Sequence, residues 1–180
     1  SGFVCLFVGR LLQDKGVRLL LDVAKTFRET GRETCFLMVG HGPLVEEIRS
    51  VSKEFKNVIY AGRVSNKNLG EYYNAADITI VPSIYEEGFG RVIIESLSSG
   101  TPVVASNRGA ISEAIDESVG RLLEPEVEDF REAIEDLFNN REKLASLSNN
   151  CRKYAVSHFS VKNASTITKA YQDSFRASRA

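Results

Sequence analysis

Short apolar runs alternate with helical patterns through the first two thirds of this chain, and that alternation limits the folds open to it more than any other feature. Phe3 to Val8, Cys35 to Val39, Asn57 to Tyr60, Ile78 to Val81, Pro102 to Ala105 and Gly120 to Leu123 each read as a buried strand. Between them lie helical stretches. One runs from about Lys15 to Thr30, with Leu20, Ala24 and Phe27 on one face. One has Pro43 in its first turn, another carries Leu69, Tyr72 and Tyr73, and a fourth runs from Phe89 to Ser99 and stops at Gly100. Continuous rather than alternating apolar strands imply a parallel sheet covered on both faces. Right-handed crossovers then give an α/β fold, a Rossmann-like doubly wound six-stranded parallel sheet. After Pro125 only helical patterns follow. Val127, Phe130, Ile134 and Leu137 form one apolar stripe, Leu144, Leu147, Cys151 and Tyr154 a second, and Ile167, Tyr171 and Phe175 a third, so additional C-terminal helices are expected. With 180 residues, the chain is sized for one α/β domain.

A net charge of -1 gives no reason to propose a nucleic-acid footprint or an anionic-membrane one. No apolar run is long enough to span a bilayer. Cys5, Cys35 and Cys151 are scattered and odd in number, which suits free thiols in a reducing, cytoplasmic setting. His41 and His158 have no cysteine or second histidine at ligand spacing, so no metal site is expected.

In a doubly wound sheet, ligands meet the loops at the carboxyl ends of the strands, and two such loops hold chemistry. In Gly9-Arg10-Leu11-Leu12-Gln13-Asp14-Lys15-Gly16, Arg10 and Lys15 bring two cations to one strand-to-helix turn, beside the positive end of a helix. A planar guanidinium and a compact ammonium suit a diphosphate. The alternative is two solvated charges beside a turn.

In Pro82-Ser83-Ile84-Tyr85-Glu86-Glu87-Gly88-Phe89-Gly90, the glycines leave backbone N–H groups open at a helix start. Glu95 follows Glu87 by eight residues, roughly 12 Å if the segment is helical throughout. A glycosidase acid/base pair wants carboxyls about 5 to 9.5 Å apart, so this pair better suits two acceptors holding hydroxyls at opposite ends of a ligand. A solvated helix face is the alternative, although Glu95 sits amid Val92, Ile93, Ile94 and Leu97, where an unpartnered carboxylate is costly.

At these residues the chain resembles the retaining group-1 glycosyltransferases. Glu87-Gly88-Phe89-Gly90 with Glu95 is similar to their E-x7-E signature. The likeness extends from Gly9-Arg10 and Lys15-Gly16 through Val39-Gly40-His41-Gly42-Pro43 and Gly62-Arg63-Val64 to Gly100-Thr101-Pro102-Val103-Val104. The resemblance implies a GT-B enzyme with two Rossmann-like domains facing a cleft, residues 1–180 forming the nucleotide-sugar-binding one. By the same resemblance Arg10 and Lys15 bind the donor diphosphate and stabilise the leaving group, and Glu87 accepts from donor-sugar hydroxyls. Backbone amides of Gly88, Phe89 and Gly90 meet phosphate or sugar, Glu95 accepts from the ribose, Val64 contacts the base through its backbone, and Gly9 lets the ligand approach.

The implied reaction is metal-free, retaining hexosyl transfer from a UDP-, GDP- or ADP-sugar, of the mannosyltransferase or glucosyltransferase kind, in polysaccharide or glycolipid biosynthesis. No Asp-x-Asp pair offers to hold a metal. An N-terminal acceptor domain is the implied partner, so this chain alone is expected to bind donor without transferring sugar. Any contact with the inner membrane face is expected only through that other half.

The resemblance has two loose ends. Arg108-Gly109-Ala110 stands where the family has a glycine pair, and Glu86 adjoins Glu87. His41 is given no role. The competing readings are a sugar-nucleotide epimerase or hydrolase, whose added acid/base residues have no candidates, and a non-catalytic nucleotide-binding module. A dinucleotide dehydrogenase fits poorly because no Gly-x-Gly-x-x-Gly follows the first strand, and a kinase or ATPase because there is no P-loop.

Overall fold

Why this sequence makes a doubly wound sheet is visible in its first strand. In the computed structural model, which describes residues 2–28, 33–88 and 90–160, β1 (Phe3–Arg10) is flanked on both sides and covered on both faces. Phe3, Cys5 and Phe7 enter one apolar cluster with Leu20, Ala24 and Phe27 of α1 (Val17–Arg28), Ile48 of α2 (Val45–Glu54) and Phe130 and Ile134 of α6 (Val127–Asn139). Leu6 and Val8 face the other way, toward Tyr73 of α3 (Leu69–Ala75). Each fully buried Phe or Leu contributes about 1.5–3 kcal/mol, so a strand with two apolar faces has nowhere to sit but mid-sheet.

The remaining strands are β2 (Thr34–His41), β3 (Val58–Gly62), β4 (Ile78–Val81), β5 (Val103–Ser106) and β6 (Gly120–Leu123). All six pair in parallel, in the order β3-β2-β1-β4-β5-β6. Beyond β4 the second face is closed by Ile93 and Leu97 of α4 (Arg91–Ser98), Ile111 and Ala114 of α5 (Ile111–Ala114), and Cys151 and Ala155 of α7 (Arg141–Phe159). Strand order reverses between β1 and β4. Crevices for ligands open at such a switch point, outside the carboxyl ends of the two strands, here Arg10 and Val81.

The expected α/β class, six strands and first two C-terminal stripes agree with this architecture; the third stripe, at Ile167, Tyr171 and Phe175, lies outside the described residues. Helix starts differ from expectation. Lys15 lies in a turn, and α1 starts two residues later at Val17 because Gly16 has φ 70 and its backbone is pressed against Pro82. Pro43 precedes α2 rather than opening it. The Leu44 N–H there donates to the Leu11 carbonyl (3.2 Å) and the Leu11 N–H to that of His41 (3.0 Å), which ties the 41–44 turn to the loop after β1. The helix expected from Phe89 starts at Arg91, capped by left-handed Gly90 (φ 63), so the estimate of roughly 12 Å for Glu87 to Glu95, which assumed continuous helix, does not apply. The short α5 had no periodic signal to reveal it.

Candidate functional site

The two carboxyl-end loops are joined to each other before any ligand is considered. The Ile84 N–H donates to the Asp14 carbonyl at 3.0 Å. A β-carbon on Gly16 would lie 1.7 Å from the Pro82 oxygen, so only glycine allows this approach. Across the same seam the Lys15 ammonium donates to Glu87 Oε1. The Ser83 hydroxyl donates to that oxygen at 2.7 Å. Ser83 is buried and Glu87 is 14% exposed, whereas Glu86 points to solvent. Geometry thus puts Glu87 rather than its neighbour in the seam.

The loop after β5 supports Glu87 from behind. Ala110 N–H donates to the Glu87 carbonyl at 3.0 Å, and a β-carbon on Gly109 (φ 57) would sit 2.3 Å from that carbonyl oxygen. One glycine therefore does what this loop needs, and Ala110 is accommodated at the next position.

Above the seam lies one cleft with two lobes. The first, about 270 Å³, holds Lys15, Ser83, Glu87 and Gly90. The second, about 560 Å³, holds Gly40, His41, Arg63, Val64, Asn66 and Glu95. Val8, Gly9, Arg10, Arg91 and Val92 line both. Arg10 stands in the middle. It ends β1, opposite His41 in the register, and its guanidinium makes no hydrogen bond or ion pair among the described residues. Glu87 and Glu95 fall in different lobes with Arg10 common to both, as suits two hydroxyl-binding ends around an anion.

Glu95 is held by a phenol. The Tyr73 hydroxyl donates to Glu95 Oε2 at 3.0 Å, and Arg91 makes a longer 3.4 Å contact with Oε1. Burial, reinforced by the Glu95 carboxylate, pushes the Tyr73 phenol far above its usual range, so it stays protonated and donates.

Among the expected site residues, Gly9, Arg10, Lys15, Val64, Glu87, Gly90 and Glu95 line this cleft. Gly88 is exposed and lines neither lobe, and Phe89 lies outside the described residues. Ser83, Arg91 and Asn66 line the cleft as well and Tyr73 supports Glu95, although none of these four carries an expected role. Tyr73 was findable in principle, because a tyrosine on a buried helix face needs a partner for its hydroxyl. Cys5, Cys35 and Cys151 are free thiols, and among the described residues no helix is long and apolar enough to cross a membrane.

Comparison with known proteins gives a consistent answer. The family described as glycosyl transferases group 1 matches residues 2–154. An uncharacterized glycosyltransferase of Methanocaldococcus jannaschii is 27% identical over 172 residues, covering 93% of this chain and 47% of its own length. HepE of Anabaena, solved in complex with UDP and with UDP-glucose, superposes with a TM-score of 0.84 at 24% identity for the UDP complex, covering 96% of this chain and 49% of that one. The C-terminal domain of a group 1 glycosyl transferase from Francisella tularensis superposes with a TM-score of 0.78 at 20% identity, over 89% of this chain and 88% of that one. Likeness at these low identities speaks to the fold. The chain spans about half the length of the first two.

Proposed function

The chain belongs to the group 1 glycosyl transferases, and from that premise we propose that it is the donor-binding unit of an enzyme that moves a hexose from a nucleoside diphosphate to an acceptor with retention at the anomeric carbon. The observation that carries this reading is the position of Arg10, a cation with no partner among the described residues and common to both lobes of a cleft that has a carboxylate in each. A diphosphate is the ligand segment that such a centre favours.

Arg10, Lys15 and the N–H groups at the α4 start take the diphosphate. Glu87 accepts from sugar hydroxyls in the first lobe. Glu95 accepts from the ribose in the second lobe, and the backbone at Val64 meets the base. As the bond between the anomeric carbon and the β-phosphate oxygen breaks, the electron pair stays on the departing diphosphate. Arg10 and Lys15 stabilise that charge, so no metal is required for it. The acceptor oxygen bonds to the anomeric carbon on the same face and passes its proton to the departing diphosphate oxygen. A UDP-sugar is the first donor to test, since HepE was solved with UDP-glucose.

A second domain facing this cleft supplies the acceptor contacts and any membrane contact, and the enzyme works in the cytoplasm. Calorimetric titration with UDP, GDP, ADP, their hexose conjugates and NAD tests the binding assignment. Saturable binding of one nucleoside diphosphate and its sugar conjugate is expected, without appreciable diphosphate release or transfer by this chain alone. Binding of NAD only would overturn the assignment, and enzyme-like turnover by the chain would overturn its dependence on a second domain.

A further inference from the structure

Tyr73 is an expensive residue for its place. It is 1% exposed and packs against Leu6 and Val39, contacts that a phenylalanine would satisfy without burying a hydroxyl. The hydroxyl's partner is Glu95 Oε2, at 3.0 Å. Glu95 in turn is 33% exposed and opens into the second lobe and into an adjoining cavity of about 190 Å³ lined by Asn66, Gly70, Tyr73 and Ser99. With the phenol on Oε2, Oε1 has among the described residues only the 3.4 Å contact from Arg91 and is the freer oxygen for a ligand hydroxyl.

Both ends of this pair are anchored. The Thr101 hydroxyl donates to the Tyr73 carbonyl at 2.8 Å. Ser96, next to Glu95 on α4, lies fully buried with its hydroxyl 2.7 Å from Thr79 Oγ1 and 2.8 Å from the Thr101 carbonyl. α3, α4, β4 and the 99–102 loop are thus fastened at one point, and Glu95 has little freedom to turn. Fixing an acceptor in advance removes the cost of ordering it when the ligand arrives.

We propose that Tyr73 is a positioning residue that holds Glu95 for the ribose, so that the cleft's preference for ribonucleotides over deoxyribonucleotides depends on the Tyr73 hydroxyl. This rests on the donor-binding reading above and extends it to a residue that does not touch the ligand. The Tyr73→Phe variant keeps the ring and removes the donor. UDP, GDP and ADP, each with its 2′-deoxy and 3′-deoxy forms, are titrated against the wild-type chain, Tyr73→Phe, Glu95→Ala and the double variant.

A hydroxyl bound to a charged group is worth about tenfold or more in affinity, and the wild type is expected to show that ribose preference. Tyr73→Phe should cut it to about threefold or less, leave deoxynucleotide affinity unchanged, and add nothing in the Glu95→Ala background. A full ribose preference in Tyr73→Phe, or equal losses for ribo and deoxy ligands, would overturn the proposal and leave the donor-binding reading standing. Collapse of the fold in Tyr73→Phe would do the same, making Tyr73 a core residue only. Absence of ribose preference in the wild type itself, or of any nucleotide binding, fails the ribose assignment and this proposal together.

Discussion

Lys15 and Glu87, 72 residues apart along the chain, meet as an ion pair between the two loops that flank the β1–β4 switch. Under the proposed donor site each is the other's stand-in for a ligand group, Lys15 being assigned to phosphate and Glu87 to sugar hydroxyls. The pair joins two loops already tied by the Ile84-to-Asp14 backbone bond. Its main consequence is therefore expected in binding rather than in stability.

Glu87→Gln keeps the shape of the side chain and can still accept from Ser83, but it leaves Lys15 uncompensated. UDP without a sugar should bind as well as to wild type, or up to about threefold more tightly. The advantage of the sugar conjugate over bare UDP should fall toward unity. Calorimetry on both ligands decides it. If UDP binding weakened while the sugar advantage persisted, Glu87 would belong to the phosphate side.

Gly109→Ala tests the support behind Glu87. The new β-carbon would meet the Glu87 carbonyl oxygen at 2.3 Å and its nitrogen at 2.7 Å, in a left-handed backbone. Strain and overlap together should cost about 2–4 kcal/mol in denaturant unfolding. Sugar-nucleotide affinity should fall by about tenfold as Glu87 is displaced. Ala110→Gly, one residue on, should change neither by much. A neutral Gly109→Ala would mean that this loop does not fix Glu87.

Alkaline pH should loosen the fold through its buried thiols. Burial pushes Cys151 from 9.0 up to about 12. Burial, then the Asp77 carboxylate and Cys35, push Cys5 upward as well. In the unfolded chain these thiols ionise near their ordinary value, while in the folded protein they stay neutral. Their stabilising effect is therefore complete below about pH 9 and is lost as pH climbs toward 12. Cys151→Ala should flatten the decline in the denaturation midpoint between about pH 8.5 and 10.5. An identical decline in that variant would assign it elsewhere. Half-buried Cys35 should be alkylated before either of the others in the native state.

Much of this architecture could be read from residue order alone, for a physical reason. Strands such as Ile78–Val81, buried at every position, need no context to be recognised. The place of Arg10 and Lys15 in the cleft was legible because a strand-to-helix turn at the sheet's carboxyl edge has one side facing the crevice. What remained hidden depended on contacts between distant segments. The Gly16 approach to Pro82 moves the start of α1, and the Leu44 bond to Leu11 delays α2 past Pro43. Tyr73 read as one more apolar helix residue, because its partner lies 22 positions away on another helix. Arg91 fell inside the helix expected from Phe89 and carried no signal, whereas it stands first in α4 and lines both lobes.

The central claim, that this cleft is built around a diphosphate with Arg10 at its middle, is tested most directly by calorimetry on wild type, Arg10→Ala and Lys15→Ala, with UDP and uridine as paired ligands. Each substitution should weaken UDP by about tenfold to a hundredfold, as expected for losing a charged hydrogen bond, and leave uridine within about twofold. Equal losses for nucleotide and nucleoside, or UDP binding indifferent to both substitutions, would contradict it.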